Sequence, residues 1–190
     1  VYNRIADEEC IPFNALIWDN PMNVIGLNQL RAFSNIIFEG SQGVMLDMNH
    51  GVFPNVTYAE TTSKNAIAIC QEIGVVPEIY YVTRCYQTRH GNGWMSDEKE
   101  VVLINNRKET NVTNNWQGNF RVSEFDYDLV SHALRIDRGY SSGRDANIIV
   151  TCLDQRPDFI FDKSHLPIFM KDIYYSYGPE AKDIKPISRK

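Results

Sequence analysis

The stretch that decides the reading is Phe38 to Thr62, FEGSQGVMLDMNHGVFPNVTYAETT. Before it, Ser34 to Phe38 is a short apolar run of strand type. Gly40 and Gly43 break that run with residues that permit tight backbone turns. The segment that follows is too long for a simple connection, and long ordered loops in compact domains usually carry function. It presents Gln42, Asp47, Asn49, His50, Thr57, Thr61 and Thr62, side chains suited to hydrogen bonding a polar ligand.

Working outward, Thr62 to Gly74 predicts a helix. Ala66, Ile67, Ile69, Cys70 and Ile73 keep a helical stripe, with Thr61 or Thr62 to cap its start and Gly74 its end. Glu78 to Tyr86 is β-branched and aromatic and predicts a strand, parallel to the run at 34–38 through the helix crossover. Gln87 to Trp94 reads as a loop, Glu98 to Ile104 as a strand, and Asn105 to Asn119 as a polar, turn-rich segment. Phe125 to Asp137 predicts a helix capped by Asp126, with Leu129, Val130, Ala133, Leu134 and Ile136 on its apolar face. Ala146 to Cys152 predicts a buried strand, and Ile173 to Tyr177 a last one ending at Gly178-Pro179. Met22 to Phe33 reads as a short helix.

Strands alternating with helices predict an α/β fold with a mixed, largely parallel sheet flanked by helices, in a single domain over 1–190. Ligands of such sheets sit at the carboxyl ends of the strands, where the polar motifs of this chain fall. The net charge of -5 and the scatter of the arginines argue against general nucleic-acid binding. No apolar run approaches the length of a membrane span. Cys10, Cys70, Cys85 and Cys152 show no CxxC spacing, so they predict neither zinc nor a disulfide framework. They read as reduced residues of a cytoplasmic protein.

The Phe38–Thr62 stretch resembles the adenylosuccinate synthetase family, which carries EGxQG and then LDxDxGTYPxVTSSxTT at this spacing. Here they stand as Glu39-Gly40-Ser41-Gln42-Gly43, Leu46 to Thr57, and Thr61-Thr62. Further matches follow in the family's order. Gln87 to Trp94 resembles the TTRVGxGPF loop, with Thr88, Arg89, Gly91 and Gly93 in register. Thr151-Cys152-Leu153-Asp154 resembles TKLD, and Ser176-Tyr177-Gly178-Pro179-Glu180 resembles S-x-G-P-[DE].

The resemblance implies a partial, P-loop-NTPase-like adenylosuccinate synthetase fold and a cytoplasmic ligase that joins aspartate to IMP using GTP and Mg²⁺, as a possible homodimer. It places Gln42, Thr57 and Arg89 at the purine nucleotide substrate, and Asp154, Ser176 and Gly178 at the base of the triphosphate. A carboxylate at 154 suits guanine, which offers N1–H and N2–H together; adenine offers no such pair.

The chain departs from the pattern at three places. Cys152 stands where the family has lysine. Asn114 to Arg121 replaces the arginine loop TTxGRxRR, keeping only Arg121. The glycine-rich GDEGKGK phosphate loop, with its catalytic aspartate, and the catalytic histidine that follows it are not among these residues, so no catalytic or metal residue is assigned. The expectation is the carboxy-terminal part of such an enzyme. The alternatives are a phage-type paralogue acting on a guanine nucleotide, with ATP as donor, or a non-catalytic nucleotide-binding remnant of the fold.

Overall fold

A computed structural model describes residues 26–99, 101–104, 112–141, 144 and 146–187. The chain divides into two compact units, Val1–Ile37 and Phe38–Lys190. In the first, the described residues hold one 3-10 turn, Leu27–Ala32. The remainder of the helix expected from Met22 lies outside the described residues.

The second unit carries β1 (Ile79–Arg84), β2 (Gln87–His90), β3 (Phe120–Ser123), β4 (Ala146–Thr151), β5 (Met170–Ser176) and β6 (Ile184–Pro186). Its helices are α1 (Lys64–Glu72) and α2 (Tyr127–Arg138). Four strands form one sheet in the order β1-β4-β5-β6, and β2 and β3 form a separate antiparallel pair. β1 runs parallel to β4, with Ile79 opposite Ala146 and Arg84 opposite Thr151. β4 runs parallel to β5, and only β6 turns back. The expected α/β architecture with a largely parallel sheet is therefore present.

Two expected strands are not. Residues 34–38 form no strand, and Ile37 is 90% exposed. The parallel partner of β1 is β4, reached through the β2–β3 pair and α2. A β-branched run becomes a strand only where another backbone meets its N–H and C=O groups, and none among the described residues does so here. The described residues of 98–104 also lack strand pairing. Conversely, the loop expected at 87–94 begins as β2, because Gln87 to His90 meets Ser123 to Phe120 in antiparallel register.

The core lies between the sheet and the helices. Ile148 and Val150 of β4 pack with Cys85, Tyr86, Leu153 and Phe161. Phe125, Tyr127, Phe159 and Tyr175 extend this cluster with ring contacts. Ile67 of α1 packs against Ile79 and Ala146. Each fully buried apolar side chain contributes about 1.5–3 kcal/mol relative to exposure.

The expected ends are met at Gly74 and Asp126, whereas α1 starts from Ser63 as its N-cap rather than from Thr61 or Thr62. Gly74, at φ 68, closes α1 as the left-handed residue after its cap. Its N–H donates to Gln71 O and that of Val75 to Cys70 O, which satisfies two terminal carbonyls. Asp126 caps α2 by accepting from Leu129 N at 2.8 Å.

Candidate functional site

The loop from Phe38 to Thr62 is folded back on itself. Thr57 N donates to Leu46 O at 2.7 Å and Met48 N to Ala59 O at 3.1 Å, so its two limbs lie side by side. At its centre is Asp47, 1% exposed. Its Oδ1 accepts from Asn49 N (2.8 Å) and His50 N (3.3 Å), and its Oδ2 from Thr61 N (2.6 Å). Burial opposes charge on this carboxyl, yet the three N–H donors outweigh it and hold its pKa below the ordinary value. Gly51 sits so close to this crossing that a Cβ would lie 2.7 Å from Asp47 O, Met45 O and Val56 Cγ1.

The loop's polar side chains thereby divide into two groups. Asp47 and Thr61 hold the loop together, Asn49 Nδ2 donates to Glu60 at 3.3 Å, and His50 Nε2 meets Tyr140 Oη at 2.7 Å. Those residues read from sequence as ligand-facing; in the structure their partners are protein. Gln42 and Thr57 differ. Neither side chain has a hydrogen-bond partner among the described residues, and Gln42 is exposed with φ 65, a left-handed conformation that turns the chain into Gly43.

The loop is docked on α1 and α2. Asp137 of α2, 1% exposed, accepts from Ser63 N (2.6 Å), Ser63 Oγ (2.7 Å) and Tyr81 Oη (2.6 Å). Ser63 is the N-cap of α1 but makes no cap bond with its own hydroxyl. A side chain from another helix performs the capping instead. Burial and then the Asp137 carboxylate push the Tyr81 phenol far above its usual pKa, so it stays a donor.

Arg89 of β2 faces Arg121 of β3 across the pair. Like charges directly opposite cost stability unless compensated. Arg121 is compensated by Glu98, and its Nη2 donates to Gly93 O at 2.7 Å. Arg89 donates through Nη2 to Asn55 O (2.7 Å) and through Nε to Asn92 O (3.2 Å). Burial, and then the Arg121 charge, lower its pKa. Arg89 thus joins the loop near Thr57 to the end of β2. Beside it opens a cleft of about 590 Å³, lined by Asn55, Asn92, Trp116, Asn119 and their neighbours. Its residues come from three separate turns, two of which, at 87–94 and 114–121, are the segments set against the family's TTRVGxGPF and arginine loops in the sequence.

Asp154, Ser176 and Gly178 do converge. They stand at the carboxyl ends of the neighbouring parallel strands β4 and β5. Leu153 N donates to Ser176 O at 3.2 Å, and Ser176 Oγ to Gly178 O at 2.9 Å. Asp154 accepts from Gln155 Nε2 at 3.2 Å and is half-buried. Cys152 holds φ 61, which turns the chain sharply after β4. None of the three lines the cleft at the β2–β3 pair. Among the described residues, no group of three or more His, Cys, Asp or Glu could hold a metal ion, so no Mg²⁺ ligand set is found there.

The family profile for adenylosuccinate synthetase matches residues 20–155. The adenylosuccinate synthetase of Ehrlichia chaffeensis is 30% identical over 186 residues, covering 94% of this chain and 38% of that protein. The Blochmanniella floridana synthetase is 36% identical over 118 residues, 58% of this chain and 26% of that one. The chain thus spans less than two-fifths of the first of these relatives. Among solved structures, succinoaminodeoxyadenylate synthetase of cyanophage S-2L, bound to dGMP and dATP as an energy donor, superposes with a TM-score of 0.52 at 17% identity. That match covers 77% of this chain and 45% of the phage protein. The fully ligated adenylosuccinate synthetase of Plasmodium falciparum gives 0.50 at 19% identity, over 80% of this chain and 40% of that one. With its EGxQG loop, its strand-end corner and a profile match over most of its length, the chain belongs to the adenylosuccinate synthetase family.

Proposed function

We propose that the chain is the nucleotide-holding part of a ligase that joins aspartate to IMP with GTP in purine nucleotide synthesis in the cytoplasm. The observation that carries this reading is the corner at the carboxyl ends of β4 and β5. There Leu153, next to Asp154, donates its N–H to Ser176 O, and the Ser176 hydroxyl donates to Gly178 O. In a mostly parallel sheet this edge is where ligands bind. Asp154 accepts the two N–H donors of guanine. Gln42 and Thr57, whose side chains have no hydrogen-bond partner among the described residues, contact the purine monophosphate, the amide at the base and the hydroxyl at the phosphate. Arg89 acts by holding Asn55 and its loop in place beside Thr57.

Mg²⁺ neutralises phosphate charge in phosphoryl transfer. The described residues offer no ligand set for it, so no step is assigned to it here. Nor is an acid, a base or a dimer contact assigned to residues of this chain.

A second reading is favoured by Cys152. It stands where the family's lysine lays its stem against guanine, and a short thiol leaves that wall of the base pocket open. This fits a phage-type enzyme taking a guanine nucleotide as substrate and ATP as donor, and the cyanophage neighbour is one that binds dGMP and dATP.

Thermal-shift titration with GTP and with ATP tests both. The first reading expects GTP to stabilise the chain and Asp154→Asn to weaken GTP at least tenfold while leaving ATP unchanged. The second expects ATP to stabilise more than GTP. No shift with either nucleotide, or an Asp154→Asn variant that binds GTP like the parent, overturns the first.

A further inference from the structure

Two cysteines that lie far apart in the sequence meet in the fold. β1 and β4 run parallel and in register to their last pair, Arg84 opposite Thr151. The residues that follow are Cys85 and Cys152. Cys85 N donates to Thr151 O at 3.0 Å, and the Cys85 thiol donates to Cys152 O at 3.1 Å. Both side chains pack in one apolar cluster. Neighbouring strands lie about 4.8 Å apart, inside the roughly 4.4–6.8 Å between Cα atoms that a disulfide spans.

The two thiols differ in access. Cys85 has no exposed surface, whereas Cys152 is partly exposed. Burial, and then Cys152, push the Cys85 thiol up to about 12. Cys85 is therefore closed to reagents from solution, and Cys152 is the thiol they meet. Burial, and then Cys152, also push the Tyr86 phenol well above its usual pKa. It keeps its proton and hydrogen-bonds the Cys152 side chain, which holds that side chain beside residue 85.

Moving the Cys85 sulfur toward its neighbour costs little. Cys152 O accepts from Gln155 N at 3.0 Å as well as from the Cys85 thiol. When the thiol turns away, that carbonyl keeps a donor, and no buried acceptor is left bare. Cys152 is also where the chain leaves β4, at φ 61, so its side chain is no longer bound to the pleat of the strand. The same turn carries Asp154, and Leu153 N ties it to Ser176 O at 3.2 Å. A covalent bond at residue 152 would fasten that turn to the end of β1.

We infer that Cys85 and Cys152 form a dithiol site oxidised by hydroperoxides, in which Cys152 meets the oxidant and Cys85 closes the bridge. In the first step the Cys152 sulfur gives up its proton and attacks one peroxide oxygen. An S–O bond forms, the O–O bond breaks, and the leaving oxygen takes the proton as water or an alcohol. In the second the Cys85 sulfur bonds to the Cys152 sulfur. The S–O bond breaks, and the hydroxide leaves as water with the proton of Cys85. The thiols lose two electrons and the peroxide gains them. Cys70, 1% exposed on α1, takes no part.

The test exposes the folded chain to hydrogen peroxide, blocks remaining thiols with N-ethylmaleimide, and maps unreduced peptides by mass spectrometry. Dimedone in a parallel sample traps sulfenic acid. The parent, Cys152→Ser and Cys85→Ala are compared, and a melting curve checks that each variant is folded. The parent is expected to give the Cys85–Cys152 bridge in excess of any other pairing by about tenfold or more, because adjacent thiols react at high effective concentration. Dithiothreitol reverses it. Cys152→Ser gives no bridge to Cys85, and Cys85→Ala accumulates the dimedone adduct at Cys152. The inference is overturned by a parent without the bridge, by a dominant pairing with Cys10 or Cys70, or by dimedone labelling of Cys85 ahead of Cys152. A folded Cys85→Ala variant without the adduct at Cys152 overturns it as well. The map of the parent decides the matter even where a variant does not fold. No nucleotide is present, so this result and the ligase reading stand or fall separately.

Discussion

The Asp137 carboxylate near the end of α2 receives both the backbone N–H and the hydroxyl of Ser63, at 2.6 and 2.7 Å, at the start of α1. One side chain thus caps a helix that lies 74 residues earlier in the chain. With Tyr81 Oη as a third donor at 2.6 Å, Asp137 links α1, α2 and β1. A buried charge held by three donors is costly to remove from one side only, because the donors are left without an acceptor. Asp137→Ala is expected to destabilise by about 3–5 kcal/mol, and Tyr81→Phe by about 1.5–3 kcal/mol. Chemical denaturation measures both. A double variant less destabilised than the sum would show that the residues act as one unit, and full additivity would refute it.

Asp47 leads to a pH prediction. Its native pKa is depressed, so it favours folding most when ionised. Its contribution is complete above its unfolded value, about 4, and is lost as pH falls through the lower native value. The chain should therefore lose stability on acidification below about pH 4, and Asp47→Asn should flatten that part of the profile. Asp47→Asn also turns an N–H₂ toward Thr61 N–H, costing about 2–3 kcal/mol at pH 7. Urea melts from pH 3 to 7 give both readings; parallel acid profiles for parent and variant would count against this role.

Gly51 and Gly178 should respond differently to alanine. At Gly51 the added methyl meets two backbone carbonyls and Val56 at 2.7 Å. Backbone cannot step aside cheaply, so Gly51→Ala should cost about 1–3 kcal/mol. At Gly178 the methyl meets the carboxylate of the Asp183 side chain. That carboxylate is on a rotatable stem, so Gly178→Ala should cost less in stability. A larger loss at Gly178 would contradict this ordering in thermal melts.

Arg89→Lys keeps the charge but loses the forked geometry that reaches Asn55 O and Asn92 O together. Amide exchange around residues 52–57 should quicken about tenfold or more, corresponding to ~1.4 kcal/mol of local stability. Unchanged protection there would mean the two carbonyl bonds do not hold the loop.

Cys85 should be inert in the native state. It has no exposed surface, and burial, then the neighbouring Cys152, push its thiol up to about 12. At pH 8 almost none is thiolate, and thiolate is the nucleophile. Alkylation followed by peptide mass spectrometry should modify Cys152 before Cys85; early labelling of Cys85 would overturn this.

Local pattern was a good guide wherever the neighbours were helical or central. The stripe Ile67, Cys70 and Ile73 named the buried face of α1, and Asp126 named the cap of α2. The run Ala146 to Thr151 is β4, with four of its six residues sealed from water at 1% or less. Such segments carry their burial in their own composition. The run at 34–38 has the same composition and no strand, because pairing belongs to two segments at once. The site was legible in the same uneven way. Asp154, Ser176 and Gly178 were found as separate short matches, and the parallel register of β4 and β5 brings them to one turn.

Residue order alone thus determined the family, the helices, the central strands and the polar loop after residue 38. It did so because glycine placement, caps and apolar periodicity act over a few residues. Which polar groups of that loop remain for a ligand was decided only by tertiary structure. Asp47, Asn49, His50 and Thr61 look as available as Gln42 and Thr57 until folding supplies their partners. A hydrogen-bonding group is free or occupied according to what stands within about 3 Å of it, and in a folded chain that neighbour is often far away in sequence.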